Sequence, residues 1–149
     1  MTSSDVTGNR RSAGEYPFLV IKDGDAEYSW YEDIPDGWRK AFGPQMVEEL
    51  NGLLLLASER DGFDWIQKYE VIDIKEKWGY LRWDALAPSC IYDEYNKWKE
   101  KYKVLSHTVC IKCGASADGY TIGWISPVCA QCAQKYGLAL SQRKTGVGL

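Results

Sequence analysis

The sequence predicts an α+β fold: a small antiparallel sheet with two main helices, extended at the C-terminal end by a small module built on four cysteines. Three observations carry this. Apolar residues recur at three and four from Met46 to Ala57 and again from Ile91 to Leu105; the period-two stretch YEVIDIKEKWGYLRWD (Tyr69 to Asp84) turns back on itself at Trp78-Gly79; and four of the five cysteines lie in two Cys-x-x-Cys pairs between Cys110 and Cys132.

Taken in order, residues 1–14 (MTSSDVTGNRRSAG) are small, polar or charged with almost nothing to bury, the composition of a disordered leader. Tyr16 to Lys22 (YPFLVIK) is a short run with β-branched members and reads as a strand, with Pro17 placing it at a sheet edge or a strand start. Asp23 to Trp38 (DGDAEYSWYEDIPDGW) mixes turn dipeptides, acids and aromatics and reads as an ordered loop. Pro44 then suits a first helical turn, Met46, Val47, Leu50, Leu53, Leu54 and Ala57 form one stripe, and Gly62 follows the end. Ile72 and Ile74 alternate with Asp73 and Lys75 in the first arm of a hairpin that returns through Tyr80 to Asp84. Past Pro88, the stripe Ile91, Tyr95, Trp98, Tyr102, Leu105 marks a second helix with Lys97, Lys99, Lys101 and Lys103 mostly on its other faces. That helix delivers the chain to Cys110. The organisation expected is a leader over 1–14, an α+β domain over 15–106, a finger over 107–141 and a flexible tail over 142–149.

At 149 residues with 45% apolar content, the chain can bury one core with a small satellite too short to fold alone. No apolar run approaches membrane length, and the N-terminus lacks a basic-then-apolar signal pattern, so a reducing, cytoplasmic setting is expected. The net charge of −3 hides an asymmetry: residues 1–84 are acidic and residues 85–149 basic. Four thiolates on one divalent cation would add −2 to the basic end and weaken it.

Cys113 and Cys129 are separated by a loop of the length found between paired Cys-x-x-Cys motifs at zinc sites, where each pair supplies two sulfurs to one tetrahedral ion. Structural Zn²⁺ held by Cys110, Cys113, Cys129 and Cys132 is the expectation. Gly114 lets backbone amides turn toward the sulfurs, Tyr120 to Ser126 suits a hairpin, and Ala130 to Leu140 suits a helix that carries the second pair in its first turn. Knuckle, hairpin and helix describe a treble-clef-like finger; a zinc ribbon, with a strand in place of the helix, is the alternative. A catalytic zinc site keeps one position open, and four cysteines fill all of them. A deaminase needs an acid two positions after a ligating His or Cys and Pro directly before the second pair, and here Val109 and Val128 hold those places. A redox pair needs one Cys-x-x-Cys in a βαβ unit, which the pattern lacks. His107 reads as a helix-terminal side chain facing solvent or the helix dipole, with a general base or a substitute ligand as alternatives. Cys90 has no partner at metal spacing and reads as a small buried apolar residue.

Gly37-Trp38, IKEKWGYLRW (Ile74 to Trp83), Cys110-x-x-Cys113-Gly114, and Gly123-Trp124 before Cys129-x-x-Cys132 together resemble a family of small phage and prophage proteins. That family has an "IKEKFGGLRF"-like hairpin ahead of a Cys-x-x-Cys-Gly … Gly-Trp … Cys-x-x-Cys finger. One position departs: the family's second hairpin glycine is Tyr80 here, which would be strained at a positive φ. The resemblance implies a mobile-element product acting in the cytoplasm of a bacterial host. Products of that origin include inhibitors and adaptors that bind host machinery, anti-CRISPR and other counter-defence factors among them.

Seven tryptophans and ten tyrosines exceed what the two stripes use. Trp30, Tyr31 and Trp38 with Asp33 and Asp36 form a candidate partner-binding face, acidic and aromatic, suited to a basic groove on a host protein or nucleoprotein; core packing and a solvated loop are the plain alternatives. The spacing of these carboxylates marks no acid–base pair. Lys97, Lys101, Lys112 and Lys135 are the candidates for a nucleic-acid-binding regulator, against which stands the acidic balance of the whole chain. The sequence therefore reads first as a non-enzymatic binding protein with a structural zinc.

Overall fold

Helix α1 (Asp36–Asp61) is the longest element in the computed structural model, which describes residues 12–142. Trp38, Phe42, Met46, Leu50 and Leu54 recur every four residues and are buried, with Val47 and Ala57 beside them, so one stripe faces the core. The helix begins at Asp36, not at Pro44. Pro35 sets the entry, Asp36 places a carboxylate in the first turn, and Trp38 and Phe42 extend the buried stripe backwards. Pro44 sits inside the helix on its solvent side, as does Lys40, whose carbonyl loses its usual donor to the proline. Water can take that bond. Gly62, at φ +76, closes the helix by donating to the Ser58 carbonyl.

The expected strand over Tyr16 to Lys22 divides. Pro17–Leu19 is a 3₁₀ turn that buries Phe18 and Leu19, and only Val20–Asp23 (β1) is extended. The expected acidic loop holds the partner strand: Ala26–Ser29 (β2) pairs antiparallel with β1 across Gly24-Asp25, where Gly24 adopts φ +63. This ribbon is exposed along most of both strands. Ser12 to Gly14, assigned above to the leader, belong to the structure, because Ala13–Glu15 forms a 3₁₀ turn and Ser29 Oγ donates to the Gly14 carbonyl at 2.7 Å. Residues 1–11 of the expected leader and 143–149 of the expected tail lie outside the described residues.

After the one-turn helix α2 (Trp65–Lys68), β3 (Glu70–Lys77) and β4 (Tyr80–Leu86) form the expected hairpin. A register shift between Val71 and Asp73 turns Ile72 outward and puts Val71 and Ile74 in the core, so the simple alternation of Ile72 with Ile74 does not hold. The turn residues are Trp78 (φ +56) and Gly79 (φ +83). Tyr80 lies in the strand, so the position that departs from the resembled hairpin carries no positive φ; Trp78 carries it.

Helix α3 (Tyr92–Ser106) packs on β4 and α1 through Tyr95, Trp98 and Tyr102. Trp98 Nε1 donates to the Met46 carbonyl of α1 at 2.9 Å, and Trp83 Nε1 donates to Tyr69 Oη, which also bonds Tyr95 Oη at 2.6 Å. The buried tryptophans thus satisfy their N–H groups while filling the core. Leu105 leaves the stripe for the surface. Ser106 is buried in its stead, accepting from the Leu81 amide and donating to the Lys103 carbonyl.

The C-terminal part comprises β5 (Gly119–Thr121), β6 (Pro127–Val128), α4 (Ala130–Tyr136) and β7 (Leu140–Ser141), with strand order β6-β5-β7, all antiparallel. The whole is α+β, with small antiparallel sheets and the four cysteines together at the C-terminal end. Among the described residues no helix is long and apolar enough to cross a membrane.

Candidate metal centre

Thr108 to Ala117 folds as a tight loop. Ala117 N donates to the Thr108 carbonyl, Cys110 N to the Ala115 carbonyl at 2.6 Å, and Gly114 N back to the Cys110 carbonyl at 3.0 Å. Gly114 holds φ +89, and a Cβ there would meet the Gly37 carbonyl oxygen at 2.8 Å. Glycine is thus required twice over, for the turn and for the approach of α1. Ile111 N donates to the Pro127 carbonyl, joining the knuckle to β6. The second pair comes from the start of α4: Cys129 caps the helix, its Sγ accepting from Cys132 N at 3.3 Å, and Asp118 accepts from Ala130 N at 2.7 Å. Knuckle, hairpin and helix follow in the treble-clef-like order, with a helix where a ribbon would have a strand.

The result is that the sulfurs of Cys110, Cys113, Cys129 and Cys132 lie within 4.8 Å of one another. Cys113 Sγ and Cys129 Sγ, from different pairs, are 3.6 Å apart, and all five cysteines of the chain are free thiols. A tetrahedral ion with metal–sulfur bonds near 2.3 Å needs sulfur–sulfur edges of about 3.8 Å, whereas a disulfide needs about 2.05 Å. The cluster fits the metal. Cys110, Cys129 and Cys132 are buried and Cys113 partly so, with Val128 and Ala133 packed against them.

Electrostatics point the same way. Burial drives the Cys110 thiol up, but amides of Cys129, Cys113 and Lys112 directed at its sulfur outweigh burial and bring it down to about 7. Cys132 is pushed up to about 12, first by burial and then by the sulfurs of Cys113, Cys129 and Cys110. At Cys113 the Ala115 amide favours the thiolate, yet burial and the sulfurs of Cys129 and Cys110 raise it overall. Four thiolates this close repel one another unless a cation sits among them. These four residues can hold one metal ion.

Trp38, which the sequence reading placed on a partner-binding face, supports this centre instead, together with its neighbour Gly37. Gly37 N donates to the Ile111 carbonyl at 2.8 Å, and a Cβ on Gly37 would collide with the Cys110 carbonyl oxygen and stand 2.6 Å from Ile111 C. Trp38 is fully buried and its Nε1 donates to the Val109 carbonyl at 2.9 Å. The first turn of α1 therefore clamps the knuckle backbone directly, and Trp38 is not a surface residue. The signal was present in the order of motifs, where Gly37-Trp38 accompanied the finger.

The remaining residues of that face divide. Trp30 and Tyr31 pack partly buried against the core, Tyr31 lying where a Cβ on Gly43 would touch its hydroxyl, while Asp33 and Asp36 are exposed. Asp36 bonds Arg39 at 2.7 Å. The lysines separate into two places: Lys112 and Lys135 stand over the Tyr136 ring at 4.7 and 5.4 Å, whereas Lys101 pairs with Glu49 at 3.0 Å on the α1 side of α3, and Lys97 is exposed on α3. His107 does not face solvent. Its ring is stacked between Tyr80 of β4 and Tyr120 of β5, 4.7 Å from each, and Nε2 bonds Tyr120 Oη at 2.8 Å. Cys90 is only partly buried, its Sγ 3.4 Å from Asp61 Oδ2. A further link was invisible in sequence: Glu76 accepts from Gly79 N through one oxygen and from Trp124 Nε1 through the other, at 2.6 and 2.7 Å, tying the hairpin tip to the finger loop. Comparison of the chain with protein-family models, curated proteins and solved structures returns no match.

Proposed function

We propose that this chain is a non-enzymatic binding protein in which a structural Zn²⁺ fastens the C-terminal finger onto α1. The observation that carries this reading is the cluster of four thiols within 4.8 Å, mostly buried, on a knuckle clamped by hydrogen bonds from the Gly37 amide and the Trp38 indole. Four sulfurs complete a tetrahedral sphere, so the ion would have no position left for substrate or water. Its role would be to supply the folding free energy that a module of this size lacks.

Support for a phage or prophage origin, and for action in a bacterial host's cytoplasm, comes from the motif resemblance. The partner proposed is a host protein or nucleoprotein whose activity the chain blocks by occlusion, as counter-defence inhibitors of the anti-CRISPR kind do. The face that supports this is narrower than Trp30, Tyr31, Asp33, Asp36 and Trp38 together. It comprises Asp33, Asp36 and the β1–β2 ribbon, where Tyr28 and Ile21 are exposed among Asp23, Asp25 and Glu27. Trp30 and Tyr31 pack partly buried against the core and are not counted in this face. Such a surface suits a basic groove. The test is affinity capture from bacterial lysate with native protein and with Asp33→Lys/Asp36→Lys, both checked for an unchanged circular-dichroism spectrum. Selective loss of a captured partner in the variant supports the face. Identical capture by both proteins rejects it.

A further inference from the structure

Away from the metal centre and from the acidic ribbon, the β3–β4 tip and α3 enclose an open cleft of about 750 Å³. Its size is that of a ligand pocket. Four cations line it: Lys77 and Arg82 from the hairpin, Lys99 and Lys103 from α3. Two acids share the lining, Asp84 and Glu100, of which Asp84 is spent on Arg82 at 2.8 Å. The balance is positive in a chain whose total charge is −3. Lys103 lies over the Tyr80 ring at 5.2 Å, which gives one wall a joined aromatic and cationic surface.

The rim carries the most telling residue. Trp78 is 57% exposed and sits at φ +56, a conformation that the Asn-Gly of an ordinary two-residue hairpin turn adopts with ease and tryptophan does not. Folding alone gains nothing from a large exposed indole held there. An outlier of this kind is grounds for a functional hypothesis.

We infer that this cleft binds single-stranded nucleic acid, Trp78 stacking on a base while Lys77, Lys99 and Lys103 contact backbone phosphates. Of the ligands that match positive charge, a single strand alone offers both phosphates and uncovered base faces. A duplex keeps its base faces stacked, and an acidic peptide leaves the indole unused. The nucleic-acid reading of the sequence thereby moves from Lys97, Lys101, Lys112 and Lys135 to Lys77, Lys99 and Lys103. It stands independently of the host-protein reading, since the cleft and the acidic ribbon share no lining residue.

The test is fluorescence anisotropy of the full chain with labelled dT12 and rU12, a 12-base-pair duplex, and an oligoglutamate peptide. The variants are Trp78→Asn, Lys103→Glu, and Lys97→Glu as an equal charge change outside the cleft. Asparagine suits the positive φ, so the first variant keeps the turn. The cleft predicts binding of one or both single strands that weakens roughly 10- to 100-fold in Trp78→Asn. Lys103→Glu weakens it and Lys97→Glu leaves it within a factor of about two. With three phosphate contacts, affinity falls roughly 20-fold between 50 and 200 mM salt. No single-strand binding at 50 mM salt, equal loss in Lys97→Glu and Lys103→Glu, a duplex bound as tightly as the single strands, or a peptide bound in their place each overturns the inference.

Discussion

Gly37→Ala isolates the clamp between α1 and the knuckle. The added methyl carbon would overlap the Cys110 carbonyl oxygen and stand 2.6 Å from Ile111 C, and these are backbone atoms with no side-chain rotamer to yield. Forcing a methyl group into such a contact costs about 1–3 kcal/mol. If the knuckle moves away, the Gly37–Ile111 and Trp38–Val109 hydrogen bonds are lost as well, each contributing about 1 kcal/mol. Alanine's helix propensity returns at most about 1 kcal/mol. The net destabilisation is about 2–4 kcal/mol, a fall in melting temperature of roughly 6–15 °C. Gly52→Ala is the matched control, since it lies in the same helix and a Cβ there meets nothing within 4 Å. That change should stabilise by about 0.5–1 kcal/mol. Differential scanning calorimetry of the two variants, with chelator competition to follow metal release, gives opposite signs and faster release in Gly37→Ala if the clamp is real. Equal melting temperatures for the two variants would mean that α1 does not clamp the knuckle.

Two further perturbations test other parts of the account. Glu76→Ala removes the acceptor shared by Gly79 N and Trp124 Nε1, and should cost about 1 kcal/mol; in a double-mutant cycle with Trp124→Phe, urea unfolding should show a coupling above ~0.5 kcal/mol, and strict additivity contradicts the link. Burial is the main cause that pushes the Tyr95 hydroxyl from 10.0 up to about 12 and raises Tyr69 well above its ordinary value. The stabilisation tied to their protonated forms is thus complete below pH 10 and is lost as pH rises through about 12. Tyrosinate absorbance should accordingly lag behind that of exposed tyrosines and then rise together with loss of near-ultraviolet dichroism; a single transition near pH 10 with the fold intact speaks against it.

What the sequence disclosed is what depends on local spacing. The α3 stripe needs only the helical repeat, and Tyr95, Trp98 and Tyr102 are buried as that repeat requires. The four clustered cysteines need only the Cys-x-x-Cys spacing, and their sulfurs converge. Where contacts are distant in sequence, the reading failed. Pro44 looks like a helix start because the residues that extend α1 backwards, Gly37 and Trp38, find their partners at Val109 and Ile111. The bulge at Ile72 is set by pairing with β4, so alternation alone put the wrong isoleucine inside. The β1–β2 ribbon was hidden because it buries almost nothing. His107 ends α3 as its position suggests, but its stacking was hidden because Tyr80 and Tyr120 come to it from separate strands.

Elemental analysis joined to X-ray absorption at the metal edge, on protein purified without added metal, probes the four-cysteine centre itself. One zinc per chain surrounded by four sulfurs at about 2.3 Å, with no lighter ligand, is the expected result. Protein that is folded without metal, or an ion whose shell includes an exchangeable oxygen, would contradict it.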